Sequence, residues 1–149
     1  MISTILVPTD GSKAAQKAAM YAIDIAKQLK CSIIVLSVID NRSVMTQTIP
    51  ADENARHIIE PVEDYLREAA EAYAREVKEL CDDNGILSKS VIAKGHPAEE
   101  IAKEAENSTA DLIIMSTHGR SAFANVFLGS VTYSLIHKET KIPVLIVRR

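Results

Sequence analysis

Ile5-Leu6-Val7-Pro8-Thr9-Asp10-Gly11-Ser12 is a short apolar run that ends in a turn, and the turn opens straight into an alanine-rich stretch. A continuous run without polar alternation suits a strand buried on both faces, as in a parallel sheet. Asp-Gly-Ser is turn chemistry, and its serine is also a good helix cap. From Lys13 to Lys30 the chain carries Ala14, Ala15, Ala18, Ala19, Ala22 and Ala26, with Ile25 and Leu29 on the same side. Side chains that small let a helix approach a sheet closely. The opening thirty residues therefore read as a strand, a tight turn and a helix laid back over the strand.

The same unit recurs outward from there. Ile33-Ile34-Val35-Leu36, Leu112-Ile113-Ile114-Met115 and Val144-Leu145-Ile146-Val147 are further apolar runs, and the more polar Lys89 to Ala93 suits a strand at a sheet edge. Between them, Val62, Leu66, Ala69, Tyr73, Val77 and Leu80 recur at spacings of three and four. That is a one-sided stripe for a helix over Pro61 to Cys81, with Pro61 in its first turn and Gly85 at its stop. Pro97 to Glu106 and Ser130 to Lys138 read as two shorter helices. Five strands alternating with helices imply right-handed crossovers and a three-layer α/β fold. The segment Asn41 to His57, with Pro, Ser, Thr, Gln and Asn, reads as a long loop of the kind that is either a functional lid or disordered.

Composition narrows the class. A chain of 149 residues is expected to form one domain over 1–149, burying about 70% of the surface of its unfolded form. With aromatics at 4% and no Trp, the core must come from Ile, Val, Leu and Ala. A net charge of −3 argues against a general nucleic-acid binder. Cys31 and Cys81 stand far apart without CxxC spacing and read as buried or half-buried reduced thiols rather than a disulfide or redox pair. Met1 runs directly into the first strand without a leader-like segment, and no uncharged apolar stretch approaches the ~18 residues of a membrane span. A cytoplasmic protein that engages neither membrane nor nucleic acid is expected.

In open α/β sheets ligands bind beyond the carboxyl ends of the strands, where strand order reverses. Two post-strand segments qualify: Pro8 to Ser12, and the loop from Ser116-Thr117-His118-Gly119-Arg120 to Gly129-Ser130-Val131-Thr132. A helix start presents unpaired N–H groups and a positive dipole end, which suit phosphate. Taken alone, Gly129-Ser130 reads first as an ordinary cap. Asp10 can accept from ribose hydroxyls or hold a metal, or can simply close its own turn. His118 and Arg120 can contact phosphate, although each alone reads as a solvent-facing loop residue. His57, His96 and His137 show no metal-ligand spacing. There is no GxxxxGK[ST], no GxGxxG after the first strand and no GxSxG elbow.

Taken together, these segments resemble the universal stress protein family along the whole chain. The likeness rests on Ile5 to Ser12, on the loop after the fourth strand, and on Ile142-Pro143-Val144-Leu145-Ile146-Val147-Arg148. The family's nucleotide-binding branch has Gly, two residues, Gly, nine residues, then Gly with Ser or Thr. Gly119, the nine residues Arg120 to Leu128, and Gly129-Ser130 match it; the first glycine is replaced by Ser116. The resemblance implies a Rossmann-like, open twisted five-stranded parallel sheet of order 3-2-1-4-5, which would bring Asp10 opposite the Gly119–Ser130 loop. It implies ATP as ligand, with Mg2+ or Mn2+ carried by its phosphates. Pro8, Thr9 and Asp10 would line the adenosine side, and Val38 would pack on adenine. Met115, Ser116, His118, Gly119 and Arg120 would border ribose and phosphates, and Gly129, Ser130, Val131 and Thr132 would hold the phosphate chain. Ser116 would either strain the backbone or crowd the ribose, and its hydroxyl could also bond phosphate.

The apolar last strand, Pro143 to Val147, would lie at a sheet edge, and pairing with its own copy would protect it. The resemblance likewise implies a homodimer through this strand. Three roles stay open from sequence: a stress-response nucleotide switch, a slow ATPase using Asp10 or His118, and a dimeric interaction module without ligand.

Overall fold

Strand β1, Thr4–Pro8, lies at the centre of a five-stranded sheet and is flanked on both sides by parallel neighbours. The structure, a computed structural model, describes residues 1–40, 53–119 and 128–148. After β1 come α1 (Lys13–Leu29), β2 (Ser32–Ile39), α2 (Glu53–Asp83), β3 (Ser88–Lys94), α3 (Pro97–Asn107) and β4 (Leu112–Ser116). The chain ends with α4 (Ser130–Ser134), a π turn over Leu135–Glu139, and β5 (Val144–Val147). The sheet order is β3-β2-β1-β4-β5 and every pairing is parallel, as expected.

Period-two alternation sorts the apolar runs onto two cores. Ile5, Val7, Ile33, Val35 and Ile114 face α1 and α2, packing against Ala22, Ile23, Ala26, Ala74, Val77 and Cys81. Leu6, Ile34, Leu36, Ile113 and Met115 face the other way, against Ile101, Ala102, Ala105 and Leu135. Helices thus cover both faces, in three layers. Alanines at 18, 22 and 26 are fully buried, which is the close helix–sheet approach that their size permits.

Helix α2 departs from its expected bounds. It begins at Glu53, so Pro61 lies inside the helix and the last residues of the expected Asn41–His57 loop are helical. An interior proline forfeits one hydrogen bond and crowds the carbonyl four residues back, at about 3 kcal/mol. A helix of 31 residues packed along two strands offsets that. Its buried stripe is also rotated from the expected one: Ala70, Ala74, Val77 and Cys81 are buried, while Val62 is exposed. The small residues, rather than the largest, sit closest to the sheet. Gly85 ends α2 as expected, at φ +70°, with its N–H on the Asp82 carbonyl and that of Ile86 on the Cys81 carbonyl. The last helix is α-helical only to Ser134 before the π turn takes over. Residues 41–52 of the expected lid lie outside the described residues.

Cys31 and Cys81 are free and buried, and desolvation raises both thiol pKa values. At the amino end of β4 the Asp111 carboxylate accepts from Ser3 N–H, Ser3 Oγ and Thr4 N–H at 2.8 to 3.1 Å. Those bonds, led by the Ser3 backbone N–H, hold its carboxyl below the ordinary aspartate range. They also tie the amino end of β4 to β1, its neighbour where the strand order reverses.

Candidate functional site

The turn after β1 is fixed by its own side chains. Thr9 N–H donates to the Leu36 carbonyl of β2 at 2.8 Å, and Thr9 Oγ1 accepts from Gly11 N–H at 3.2 Å. Asp10 Oδ1 accepts from Ser12 N–H at 3.0 Å, and Ser12 Oγ caps α1 by accepting from Ala15 N–H. Gly11 sits at φ +76°, the left-handed region that glycine enters without a Cβ penalty. Any Cβ there would also overlap the ring of Tyr73, which reaches over from α2.

The carboxyl end of β4 is braced just as closely. Ser116 Oγ donates to the His118 carbonyl at 2.7 Å, and Thr132 Oγ1 donates to the Ser116 carbonyl at 3.0 Å. Gly129 N–H donates to the Thr117 carbonyl at 2.7 Å, so the start of α4 is stapled to the end of β4. A Cβ at Gly129 would lie 3.3 Å from that carbonyl oxygen and 3.4 Å from His118 Cα. Glycine serves there for close backbone approach rather than for its φ of −65°, since a Cβ would push its neighbours back by a few tenths of an ångström. The N–H groups of the first turn of α4 have no partner within the helix.

The two turns meet. A Cβ on Gly119 would stand 2.6 Å from Asp10 Oδ2, so the second carboxylate oxygen of Asp10 lies against the glycine of the facing loop. The expected juxtaposition of Asp10 with this loop is therefore present. Thr9, Ser116, Thr117, His118 and Thr132 are buried around it, and Ser130 is exposed at the start of α4. His118 is not solvent-facing: it is 6% exposed, with Nδ1 2.8 Å from Thr117 Oγ1. Pro8 pairs with Leu36, while Val38 is half-buried two residues further along β2. The side chain of Met115 belongs to the core with Leu6 and Leu135, and Val131 packs at the edge of that core. Arg120 lies outside the described residues.

Ser116 carries none of the strain that its place in the motif raised. Among the described residues only Lys30 and Thr109 are non-glycines at positive φ. Its hydroxyl is spent on the His118 carbonyl and so braces the loop. Tyr73 and Thr117 are the contacts that the sequence reading missed. Tyr73 stood in an ordinary helical stripe, and nothing in that spacing marked it as reaching a turn some sixty residues earlier.

A second groove, at the amino ends of the strands, is bordered by Ser3, Lys27, Lys30, Ser32, Asn84 and Leu87. Its polar groups pair with each other, Lys27 Nζ lying 2.6 Å from Asn84 Oδ1. Among the described residues no helix is long and apolar enough to cross a membrane, and no group of three or more His, Cys, Asp or Glu side chains could hold a metal ion.

The model of the universal stress protein family matches residues 1–148. The chain belongs to the universal stress protein family. Universal stress protein MJ0577 of Methanocaldococcus jannaschii is 34% identical over 158 aligned positions, covering 100% of this chain and 96% of that protein. Its solved structure superposes with a TM-score of 0.86 at 33% identity, over 100% of this chain and 97% of that one. A universal stress protein solved in complex with cAMP gives a TM-score of 0.68 at 24% identity, covering 98% and 97% of the two chains. A family member from Arabidopsis thaliana with AMP bound gives 0.66 at 14%, covering 99% and 92%. At those identities the last two share the fold. Within the family's nucleotide motif, Gly119 and Gly129 are the two positions where this chain admits no side chain without displacing a neighbour.

Proposed function

We propose that this universal stress protein binds ATP or a related adenine nucleotide between the β1 turn and the β4–α4 loop, and acts as a stress-response switch rather than an efficient catalyst. The observation that carries the reading is the approach of Asp10 Oδ2 to the Cα of Gly119, with Gly129 stapled onto Thr117 behind it. A carboxylate with one oxygen held by its own turn is oriented to accept from a ribose hydroxyl with the other. Pro8 and Thr9 flank the nucleoside and Val38 offers an apolar surface to the base. Ser116, His118, Gly119 and Arg120 border ribose and phosphates, together with the backbone of Met115. The N–H groups of Ser130 and Val131, joined by the Ser130 hydroxyl, meet the phosphate chain at the start of α4. Thr132 and Ser116 act as braces, since their hydroxyls already serve the loop. Magnesium or manganese would be carried by the phosphates. The cAMP- and AMP-bound proteins of the same fold support a nucleotide as ligand.

The reading extends to a cytoplasmic homodimer joined through β5. All four residues of β5 are half-buried, and its free edge bears no charged side chain over Val144 to Val147. The opposite edge, β3, carries Lys89 and Lys94 and is guarded against such pairing.

Freshly purified protein, denatured and analysed by mass, should release an adenine nucleotide. Protein stripped of nucleotide should melt several degrees higher with ATP, since a ligand at 100 times its Kd adds about 2.7 kcal/mol. No released nucleotide and no shift at millimolar ATP would leave only the ligand-free interaction module.

A further inference from the structure

The β1 turn depends on its smallest residue. Gly11 supplies the N–H that holds Thr9, and the next N–H, from Ser12, holds Asp10. A glycine at φ +76° has more conformational freedom to lose than any other residue, so a contact from outside the turn adds to the restraint that its own bonds supply. The face of Gly11 that a side chain would occupy is filled by Cγ, Cδ1 and Cε1 of Tyr73. One turn further along α2, Glu76 Oε1 accepts from Gln16 Nε2 at 2.9 Å, tying the same stretch of α2 to the first turns of α1. Helix α2 therefore grips the β1–α1 connection on both sides of Ser12, with the ring on the pivot and the carboxylate on the helix.

We propose that Tyr73 is a positioning residue that holds the Gly11 turn so that Asp10 meets the ribose, and thereby sets the preference of the site for ribonucleotides. This rests on the nucleotide reading above. The ring packs on the turn at Gly11, so its loss acts on Asp10, while Thr9 keeps its bond to the Leu36 carbonyl of β2. Tyr73→Ala opens space beside Gly11, the turn samples other conformations, and the carboxylate is no longer held at the ribose. The contacts assigned above to Val38 of β2 and to the β4–α4 loop lie outside this turn.

The test compares ATP with 2′,3′-dideoxy-ATP by equilibrium titration on nucleotide-free wild type, Asp10→Ala, Tyr73→Phe and Tyr73→Ala. A hydrogen bond to a charged group contributes on the order of a 10- to 150-fold preference for ATP. Wild type should show a preference in that range and Asp10→Ala should lose it. Tyr73→Ala should fall to within about threefold of Asp10→Ala while keeping its affinity for dideoxy-ATP. Tyr73→Phe, which retains the ring, should keep most of the preference. If Tyr73→Ala does not fold, Tyr73→Leu removes the flat ring with less loss of volume and is read the same way. A wild-type preference in Tyr73→Ala or Tyr73→Leu, whatever their stability, overturns the positioning role alone. Wild-type protein that binds neither nucleotide, or both equally, overturns the nucleotide reading or the role of Asp10, and the inference falls with it.

Discussion

Gly119→Ala separates the site from the fold. The backbone at Gly119 lies outside the left-handed region and the residue is exposed, so alanine is conformationally acceptable. At such a site Gly→Ala adds about 0.4–1 kcal/mol by restricting the unfolded chain. The new methyl, however, would stand 2.6 Å from Asp10 Oδ2, well inside contact distance. The loop is stapled at Thr117–Gly129, and Asp10 is anchored to its own turn through Oδ1, so the Oδ2 arm of the carboxylate is the element that yields. Swinging it away forfeits one charge-assisted bond to the ribose, about 1.5–3 kcal/mol, or a 10- to 150-fold rise in Kd for ATP. Titration calorimetry on nucleotide-free protein reads the Kd, and a thermal melt shows whether the fold survives. A double-mutant cycle gives the decisive number. In an Asp10→Ala background the methyl meets no other side chain among the described residues, so Gly119→Ala should cost less than about 0.5 kcal/mol there. An equal loss in both backgrounds would mean that Gly119 acts on the ligand directly and that the Asp10 argument is wrong.

Further outcomes follow from the same coordinates. Gly129→Asp places a carboxylate at the start of α4 and should abolish ATP binding, while the melt changes by only the few degrees that a tenths-of-an-ångström shift of Thr117 demands; binding within threefold of wild type would refute the phosphate assignment. Thr109 is a β-branched residue at φ +52°, a conformation costing about 1–2 kcal/mol, so Thr109→Gly should raise the melting temperature by ~1–4 °C once the unfolded-state entropy of glycine is subtracted. The carboxyl of Asp111 has a lowered folded-state pKa, so its contribution is present above the ordinary aspartate pKa of 3.8 and is lost as pH falls through the folded value. The gap in melting temperature between wild type and Asp111→Asn should therefore be full at pH 7 and close in strong acid; a gap that widens there would contradict the sign. Pro143 and Val147 turn their carbonyls to β4, so alternation turns the Ile146 N–H to the free edge. Ile146→Pro should give a folded monomer by light scattering where wild type is a dimer, and a wild-type monomer would remove the dimer proposal.

What the sequence disclosed was whatever depends on local pattern. Apolar runs such as Leu112 to Met115 are too short for helices and too uniform for a half-exposed strand, so the parallel sheet and its two covered faces were legible. The polar Lys89 to Ala93 run correctly marked the edge strand. Pro61 misled because proline is commonest where a helix begins, and the helix formers before it were outweighed by that one residue. His118 misled because no single-residue signal reports that the start of α4 will be bonded back onto the end of β4 beside it. The placement of Asp10 against Gly119 needed the order of strands, which the family resemblance provided and local pattern did not. Tyr73 was invisible for a related reason: its partner is a glycine, whose missing side chain leaves no mark of what fills the space.

The central claim, that an adenine nucleotide sits between Asp10 and the Gly119–Gly129 loop, is tested most directly by the backbone amides of the five glycines. In a 15N–1H correlation spectrum of nucleotide-free protein titrated with ATP, Gly11, Gly119 and Gly129 should shift saturably together. Gly85, beside the groove at the amino ends of the strands, and Gly95, after β3, should stay in place. Shifts confined to Gly85, or none at millimolar ATP, would contradict the account.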